Sequence, residues 1–359
     1  MSGDGRYIDP NLGSLSGEGS HQRVKATEER LEQLARDAWT HVPSDTTAGP
    51  TYYDRPVIKE PVWKPAVAAY FYTGGTAGAA STLAAIAQVF GRGRMRGLVK
   101  RARAIAAGGT TVGMGLLVYD LGRKSRFLNM LRVFRPTSPM SVGSWMLGAS
   151  TTASAGAIVF GERAPLVGDL AGLAAGAGGL PLSGYTAALV SNSAVPIWQA
   201  VRTSLPPLFV SSAANGAASL LDMMDLTGEE ARVVNRFGVM GKIGELVAAE
   251  AVTKDAERVE RIAMPLKEGF SGSLWRLAKL STSASLALSL LPGRARWKRW
   301  ITGLLGTIGA VSVRFAIYYA GIASARDPRA TFEQQRAGYG GTEVTGRAAV
   351  TGPNRERAI

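Results

Sequence analysis

Cysteine is absent from this chain of 359 residues, and histidine occurs only as His21 and His41. The first absence excludes disulfides, thiolate metal sites and cysteine-held iron–sulfur clusters. The second leaves every apolar segment without histidine, so a haem held by two histidines between helices is excluded as well. No Asp, Glu and His cluster has metal-ligand spacing, and no Gly-x-x-x-x-Gly-Lys-Ser/Thr phosphate loop occurs. Charge is scarce too, at 19% of residues, and long stretches carry almost none. Residues 1–60 lack an apolar run of the length a secretory signal requires, so a signal peptide is not expected.

The charge that is present is lopsided, with a formal net value of +14. Such a balance suggests nucleic acid or an anionic membrane surface as partner. Its distribution separates the two. Arg92, Arg94, Arg96, Lys100, Arg101 and Arg103 form one cluster; Arg294, Arg296, Lys298 and Arg299 form another. Nucleic-acid faces interleave cations with polar and aromatic contacts. Here the cations punctuate apolar segments, as loops between membrane spans do. Membrane lipid is therefore the expected surroundings, and nucleic acid is not an expected partner.

A bilayer core takes about 20 apolar residues per helix. Eight segments meet that pattern, at 65–90, 103–121, 139–160, 165–191, 203–224, 230–252, 272–292 and 300–322. Runs such as "GGTAGAASTLAAIA" (Gly74 to Ala87) and "LAGLAAGAGGLPL" (Leu170 to Leu182) are built from small residues, which let helices approach closely in lipid. A soluble alanine-rich helical protein is the alternative, but its helices should each carry a polar stripe. Segments 230–252 and 272–292 fit least well, because Arg232, Arg236, Lys242, Glu245, Arg276 and Lys279 fall in or beside them. The reading is an all-α, multi-pass integral membrane protein. An even number of spans puts both termini on one side, with the cation-dense loops 91–102 and 293–299 opposite. The positive-inside rule then favours termini outside. Flanking the membrane domain at 61–324 are a polar tail at 1–60 and a polar, extended tail at 325–359. Within the first, "ATEERLEQLARDAW" has the spacing of a short amphipathic helix, lying on this protein's surface or docking on a partner.

Several stretches together resemble one family. "DLGRKSRFLNMLRVFRPTSPMSVGSW" (Asp120 to Trp145) is similar to the signature of the NrfD/PsrC family, the polysulfide-reductase-type membrane subunits. "YYDRPVIKEPVWK" (Tyr52 to Lys64) resembles the family's entry to its first span. "GYTAALVSNSAVPIW" (Gly184 to Trp198) and "LPPLFVSSA" (Leu205 to Ala213) resemble its fourth and fifth spans, and "RFAIYYAGIASARDPRATFEQQR" (Arg314 to Arg336) its C-terminal end. The resemblance implies eight transmembrane helices arranged as two four-helix bundles in the plasma membrane, without haem. It implies a subunit of a respiratory oxidoreductase complex that carries no catalytic residue of its own. Such a subunit exchanges electrons between quinone, whether menaquinone or ubiquinone, and a ferredoxin-like iron–sulfur subunit. That partner in turn serves a molybdopterin catalytic subunit, of formate-dehydrogenase or polysulfide-reductase type.

A quinone site needs an apolar slot, donors for the two ring oxygens and a protonatable relay. By the resemblance, the head group falls at Glu60 to Lys64 and at Tyr185, with Arg135 and Ser138 on the adjoining loop. Two positions depart from the family pattern: Lys64 stands where a histidine is expected, and "YTA" at Tyr185 to Ala187 replaces "YTG". An unperturbed lysine donates hydrogen bonds but shuttles protons poorly. In the loop, Pro136 and Pro139 stiffen the backbone beside the span, making either a rim for quinone and partner or a headgroup anchor. Ionisable residues within spans are functional candidates by default. Asp120, Asp169, Glu245 and Arg314 are the proton-path candidates, although Asp120 has Arg123 nearby as an ion-pair partner and Glu245 and Arg314 could pair with each other. The rival readings are a purely structural anchor or a small-solute transporter. Gly179-Leu180-Pro181 is the one hint of the broken helix that a transporter would use.

Overall fold

The computed structural model describes residues 57–337, apart from 92 and 294, and every regular element among them is helical. The amphipathic helix expected in the N-terminal tail lies outside the described residues. Eight helices are long: α1 (Pro65–Phe90), α2 (Arg96–Asp120), α3 (Pro139–Val159), α4 (Pro165–Ser191), α6 (Leu205–Asp222), α7 (Gly228–Glu257), α9 (Gly269–Leu290) and α10 (Arg296–Arg326). Short helices fill the connections: a 3-10 turn at Lys124–Leu131, α5 (Pro196–Ala200), α8 (Glu260–Lys267) and α11 (Pro328–Arg336). The eight long helices stand at the eight apolar segments, several of them longer than the segment. Two, α4 and α10, are long and apolar enough to cross a membrane by length and composition.

Local sequence explains where the helices start. α1, α3, α4, α5, α6 and α11 have proline in the first turn, where no backbone N–H is needed and φ is already helical. α7 starts instead on a capping box: Thr227 Oγ1 accepts from the Glu230 N–H, and Glu230 accepts from the Thr227 N–H at 2.9 Å. The same Glu230 carboxylate accepts the Leu98 N–H at 2.6 Å and lies 3.5 Å from Arg101. One side chain thereby ties the start of α7 to the start of α2.

α1 packs on α2 and α4, and α3 leans on both of those helices. α6 packs on α7 and α10, and α9 leans on both of those. α1 also touches α6 and α10, so it belongs to both neighbourhoods. Its contact with α4 is made backbone to backbone at Gly78 and Gly179, where a Cβ on either would run into the other's carbonyl oxygen. Thr82 reinforces the contact with a 3.1 Å hydrogen bond to the Gly176 carbonyl. Small residues allow this approach, and the exposed polar backbone it brings together is compensated by hydroxyls.

Two expectations change here. The Gly179-Leu180-Pro181 stretch does not break α4, which runs unbroken through Pro181. The tail after Ala325 is not extended throughout, because Asp327 accepts the Arg329 N–H at 3.0 Å and starts α11.

The distribution of polarity is inverted on α7. This helix exposes Met240 (73%) and Val247 (67%) while burying Lys242 and Glu245 at 1% each. α9 beside it exposes Leu280 at 70%. Lysine and glutamate are almost never fully buried in water-soluble proteins unless paired.

Candidate functional site at the Lys64 end

The start of α1, the end of α2, the loop before α3 and the end of α4 come together at one end of the helices, and here the structure places the residues singled out for the head group. Lys64 is the N-cap of α1. Its backbone N–H donates to Asp120 Oδ1 at 2.8 Å, so the last residue of α2 satisfies an orphan donor at the start of α1. Its ammonium lies 4.7 Å above the Tyr119 ring and 3.5 Å from the Tyr119 carbonyl oxygen. Asp120 therefore has a structural partner different from the expected one: it takes the Lys64 N–H rather than pairing with Arg123.

Trp63, one residue earlier, forms the floor of this end. Its ring stacks on Trp198 with centroids 5.8 Å apart and meets Phe71 edge-on. Trp198 donates through Nε1 to the Ile317 carbonyl at 2.9 Å, and the Tyr318 hydroxyl donates to the Trp63 carbonyl. A segment from α10 thus fixes the entry to α1. Glu60, further out, forms a bidentate pair with Arg326, at 3.0 and 2.7 Å.

Tyr185 is buried on α4, six residues before its end, and donates to the Pro139 carbonyl in the first turn of α3. Gly143 makes room for it: a Cβ there would fall inside the phenol ring. Tyr70 of α1 is buried within electrostatic reach of Tyr185. The loop before α3 is pinned to itself. Ser138 caps α3 by accepting the Ser141 N–H, and the Ser141 hydroxyl accepts the Arg135 N–H at 3.0 Å. The Arg135 side chain is exposed.

Lys64 and Asp120 thus meet directly, and Tyr185 meets the turn that follows Ser138. Glu60 and Arg135 sit at the rim of the same end, Glu60 engaged with Arg326. The end carries the Lys64 ammonium and the Tyr185 hydroxyl as donors, each facing a carbonyl oxygen. It also offers stacked indoles as an apolar wall.

The other proton-path candidates lie elsewhere. Asp169 is at the opposite end, exposed and paired with Arg103 at 3.0 Å, with Gln88 bridging to both residues. Glu245 and Arg314 are buried between the helices, within electrostatic reach of each other but without a direct ion pair. Glu245 accepts from Thr282 at 2.7 Å and Asn215 at 3.0 Å, while Arg314 donates to the Phe209 carbonyl at 2.6 Å. Sequence reading undervalued Lys242, Asp222 and Asn215 in this interior. The signal for Lys242 was its spacing of three from Glu245, which puts both on one helix face. Asp222 and Asn215 carry no such local mark. Among the described residues, no group of three or more His, Cys, Asp and Glu could hold a metal ion.

No curated protein matches the chain. The family model described as polysulphide reductase, NrfD, matches residues 56–164, from the entry of α1 to the turn before α4. These residues supply Glu60, Lys64, Asp120, Arg135 and Ser138; Tyr185 and the later stretches that carry the resemblance lie outside the match. The segment 56–164, which builds most of the Lys64 end, is therefore the part of the chain that is similar to the polysulphide reductase NrfD family.

Proposed function

We propose that this protein is a quinone-reactive integral membrane subunit of a respiratory oxidoreductase complex in the plasma membrane. Its eight long helices are the spans, grouped as two four-helix bundles: α1 to α4, and α6, α7, α9 and α10. The observation that carries the reading is the family match, because it falls on the segment that forms the Lys64 end. The inverted polarity of α7 supports the membrane setting, with apolar side chains outward and ionisable ones inward. The cation-rich opposite end faces the cytoplasm by the positive-inside rule.

Quinone, menaquinone or ubiquinone, sits at the Lys64 end. Lys64 and Tyr185 donate to its two ring oxygens, Ser138 and Arg135 border the head group, and Glu60 lies at the mouth. Asp120, held against the Lys64 backbone, is the nearest carboxylate for the protons that quinol chemistry moves with its electrons. Electrons pass to or from a ferredoxin-like iron–sulfur subunit docked over Arg135 and the Pro136–Pro139 loop, and that subunit serves a molybdopterin enzyme of formate-dehydrogenase or polysulfide-reductase type. Asp169 drops out of the proton route, because it is exposed at the far end and neutralised by Arg103.

The test is purification of the tagged protein from native membranes. Co-purifying iron–sulfur and molybdopterin subunits, extractable quinone and quinone-analogue reduction are the expected results. A protein that comes alone and without quinone overturns the reading in favour of a structural anchor. The unbroken course of α4 removes the feature that pointed to a transporter.

A further inference from the structure

Four cations line one cavity at the end of the molecule opposite Lys64. The cavity, about 380 Å³, opens between the starts of α7 and α10 and the end of α9. Its size falls within the range of small-ligand pockets, about 300–1,000 Å³. Arg232 and Arg236 stand on the α7 side, Lys298 and Arg299 on the α10 side. Two carboxylates lie among them. Asp222, buried at the end of α6, is 3.9 Å from the Arg299 Nε, and Glu229 is 3.9 Å from Arg232. Lys298 donates to loop carbonyls, those of Leu291, Pro292 and Gly293. Neither Lys298 nor Arg236 forms an ion pair among the described residues.

Helix dipoles do not set the sign of the potential here, since α7 and α10 start at this end while α6 and α9 finish at it. The side chains do, and four cations against two carboxylates leave the cavity electropositive. Gathered like charges repel one another, so the arrangement is unfavourable until an anion joins it. Arg299 keeps a donor for such an anion: its Nη2 reaches the Met224 carbonyl at 2.8 Å, but its Nε is buried without a hydrogen-bond partner. The fringe of the cavity is apolar. Leu226, Leu288 and Leu291 share the lining, and Leu290, Trp297 and Trp300 are exposed at adjoining positions. A soluble anion gains nothing from that fringe, whereas an anion that carries hydrocarbon does. Tryptophans at this level suit the boundary between headgroups and acyl chains.

We propose that this cavity binds the phosphate group of an anionic phospholipid, held by Arg232, Arg236, Lys298 and Arg299 while the acyl chains lie against the exposed leucines and tryptophans. Guanidinium groups suit the task, because they present paired donors to phosphate oxygens. Lipid phosphate and free phosphate offer the same oxygens, and the apolar fringe favours the lipid. Bound phosphate bridges α7 to the α9–α10 turn. Without it, Arg232 pairs within α7 and Lys298 bonds within the turn. Binding therefore stabilises the fold at this end. The proposal rests on the membrane setting above, but not on the quinone chemistry.

The test uses the full chain in its purified complex, stripped of lipid in detergent. Thermal unfolding and native mass spectrometry follow the addition of phosphatidylglycerol, phosphatidylcholine or inorganic phosphate. Phosphatidylglycerol should bind and raise the melting temperature; phosphatidylcholine, whose headgroup is neutral overall, should do neither. Arg236→Gln combined with Lys298→Gln should weaken phosphatidylglycerol binding about thirtyfold, from about 1 kcal/mol for each cation at a lipid surface. Arg94→Gln combined with Arg96→Gln removes two exposed cations beside the start of α2, at the same end, and should leave binding unchanged. If the first pair fails to assemble, a photoreactive phosphatidylglycerol on the wild type decides, and its label should fall within residues 226–236 and 288–299. Equal binding of phosphatidylcholine, equal losses in the two double variants, or label confined to other helices each overturns the site. Stabilisation by inorganic phosphate that phosphatidylglycerol does not exceed overturns the lipid in favour of a soluble anion. Because no quinone turnover is read, an inactive quinone site leaves the result standing. Recovery of the protein without detergent would instead overturn the membrane setting and the lipid site together.

Discussion

Lys64 and Asp120, fifty-six positions apart in sequence, are joined by a 2.8 Å hydrogen bond from a backbone N–H to a carboxylate. A carboxylate at this point serves two purposes. It satisfies a donor that the first turn of α1 cannot, and it favours the positive end of the α1 dipole.

Asp120→Ala should therefore lower stability by about 0.5–2 kcal/mol, the usual cost of losing a cap. Asp120→Asn keeps an acceptor and should lose less. Thermal unfolding of the detergent-solubilised protein measures the order. Equal melting temperatures for both variants and the wild type would show that the bond contributes nothing.

Tyr185→Phe removes the donor that reaches the Pro139 carbonyl, a loss of about 0.5–1.5 kcal/mol. It should weaken quinone-analogue reduction by the intact complex while a soluble-dye assay of the partner enzyme stays unchanged. Lys64→Ala should behave alike. Wild-type rates in both variants would remove the head group from this end.

Gly143→Ala should be worse than Tyr185→Phe, because the new methyl occupies space held by the phenol ring and overpacking of this kind costs about 1–3 kcal/mol. The double change Gly143→Ala with Tyr185→Ala should recover part of the lost thermal stability. A double variant no more stable than Gly143→Ala would place the clash elsewhere.

Arg135 is exposed, so its loss alone should cost the assembly only about 0.2–1 kcal/mol. Reversal to Glu adds repulsion against an acidic partner surface. Arg135→Glu should reduce co-purification of the iron–sulfur subunit, most at low salt where screening is weakest. Full recovery of that subunit at low ionic strength would leave the loop as a headgroup anchor.

The positions of the long helices were legible because the marks that start them are local: proline at Pro65, Pro139 and Pro165, and Thr227 spaced three residues from Glu230. Segment 230–252 looked doubtful for its charges. The same charges, Lys242 and Glu245, are what the structure buries, since a helix surrounded on three sides can hide a polar face that hydropathy averages away. Glu60, Lys64 and Tyr185 were reachable only through the family resemblance. What no local pattern reveals is pairing across long separations. Tyr318 reaches the Trp63 carbonyl from 255 positions away, and Asp120 meets Lys64 rather than its near neighbour Arg123. The unbroken α4 is a further case: Pro181 suggests a break by itself, but packing against α1 holds the helix on both sides of it.

The place of α1 bears on how the protein is made. It leaves the ribosome before α2 to α10; its neighbour α2 follows directly, whereas its neighbours α4, α6 and α10 are synthesised later still, α10 last among them. The glycine face around Gly78 has no opposite surface until α4 arrives, and the Trp63 carbonyl lacks its Tyr318 donor until α10 emerges. Synthesis therefore leaves α1 incompletely packed until α10 has been made, and chains cut short before α10 lack the contacts that complete its packing.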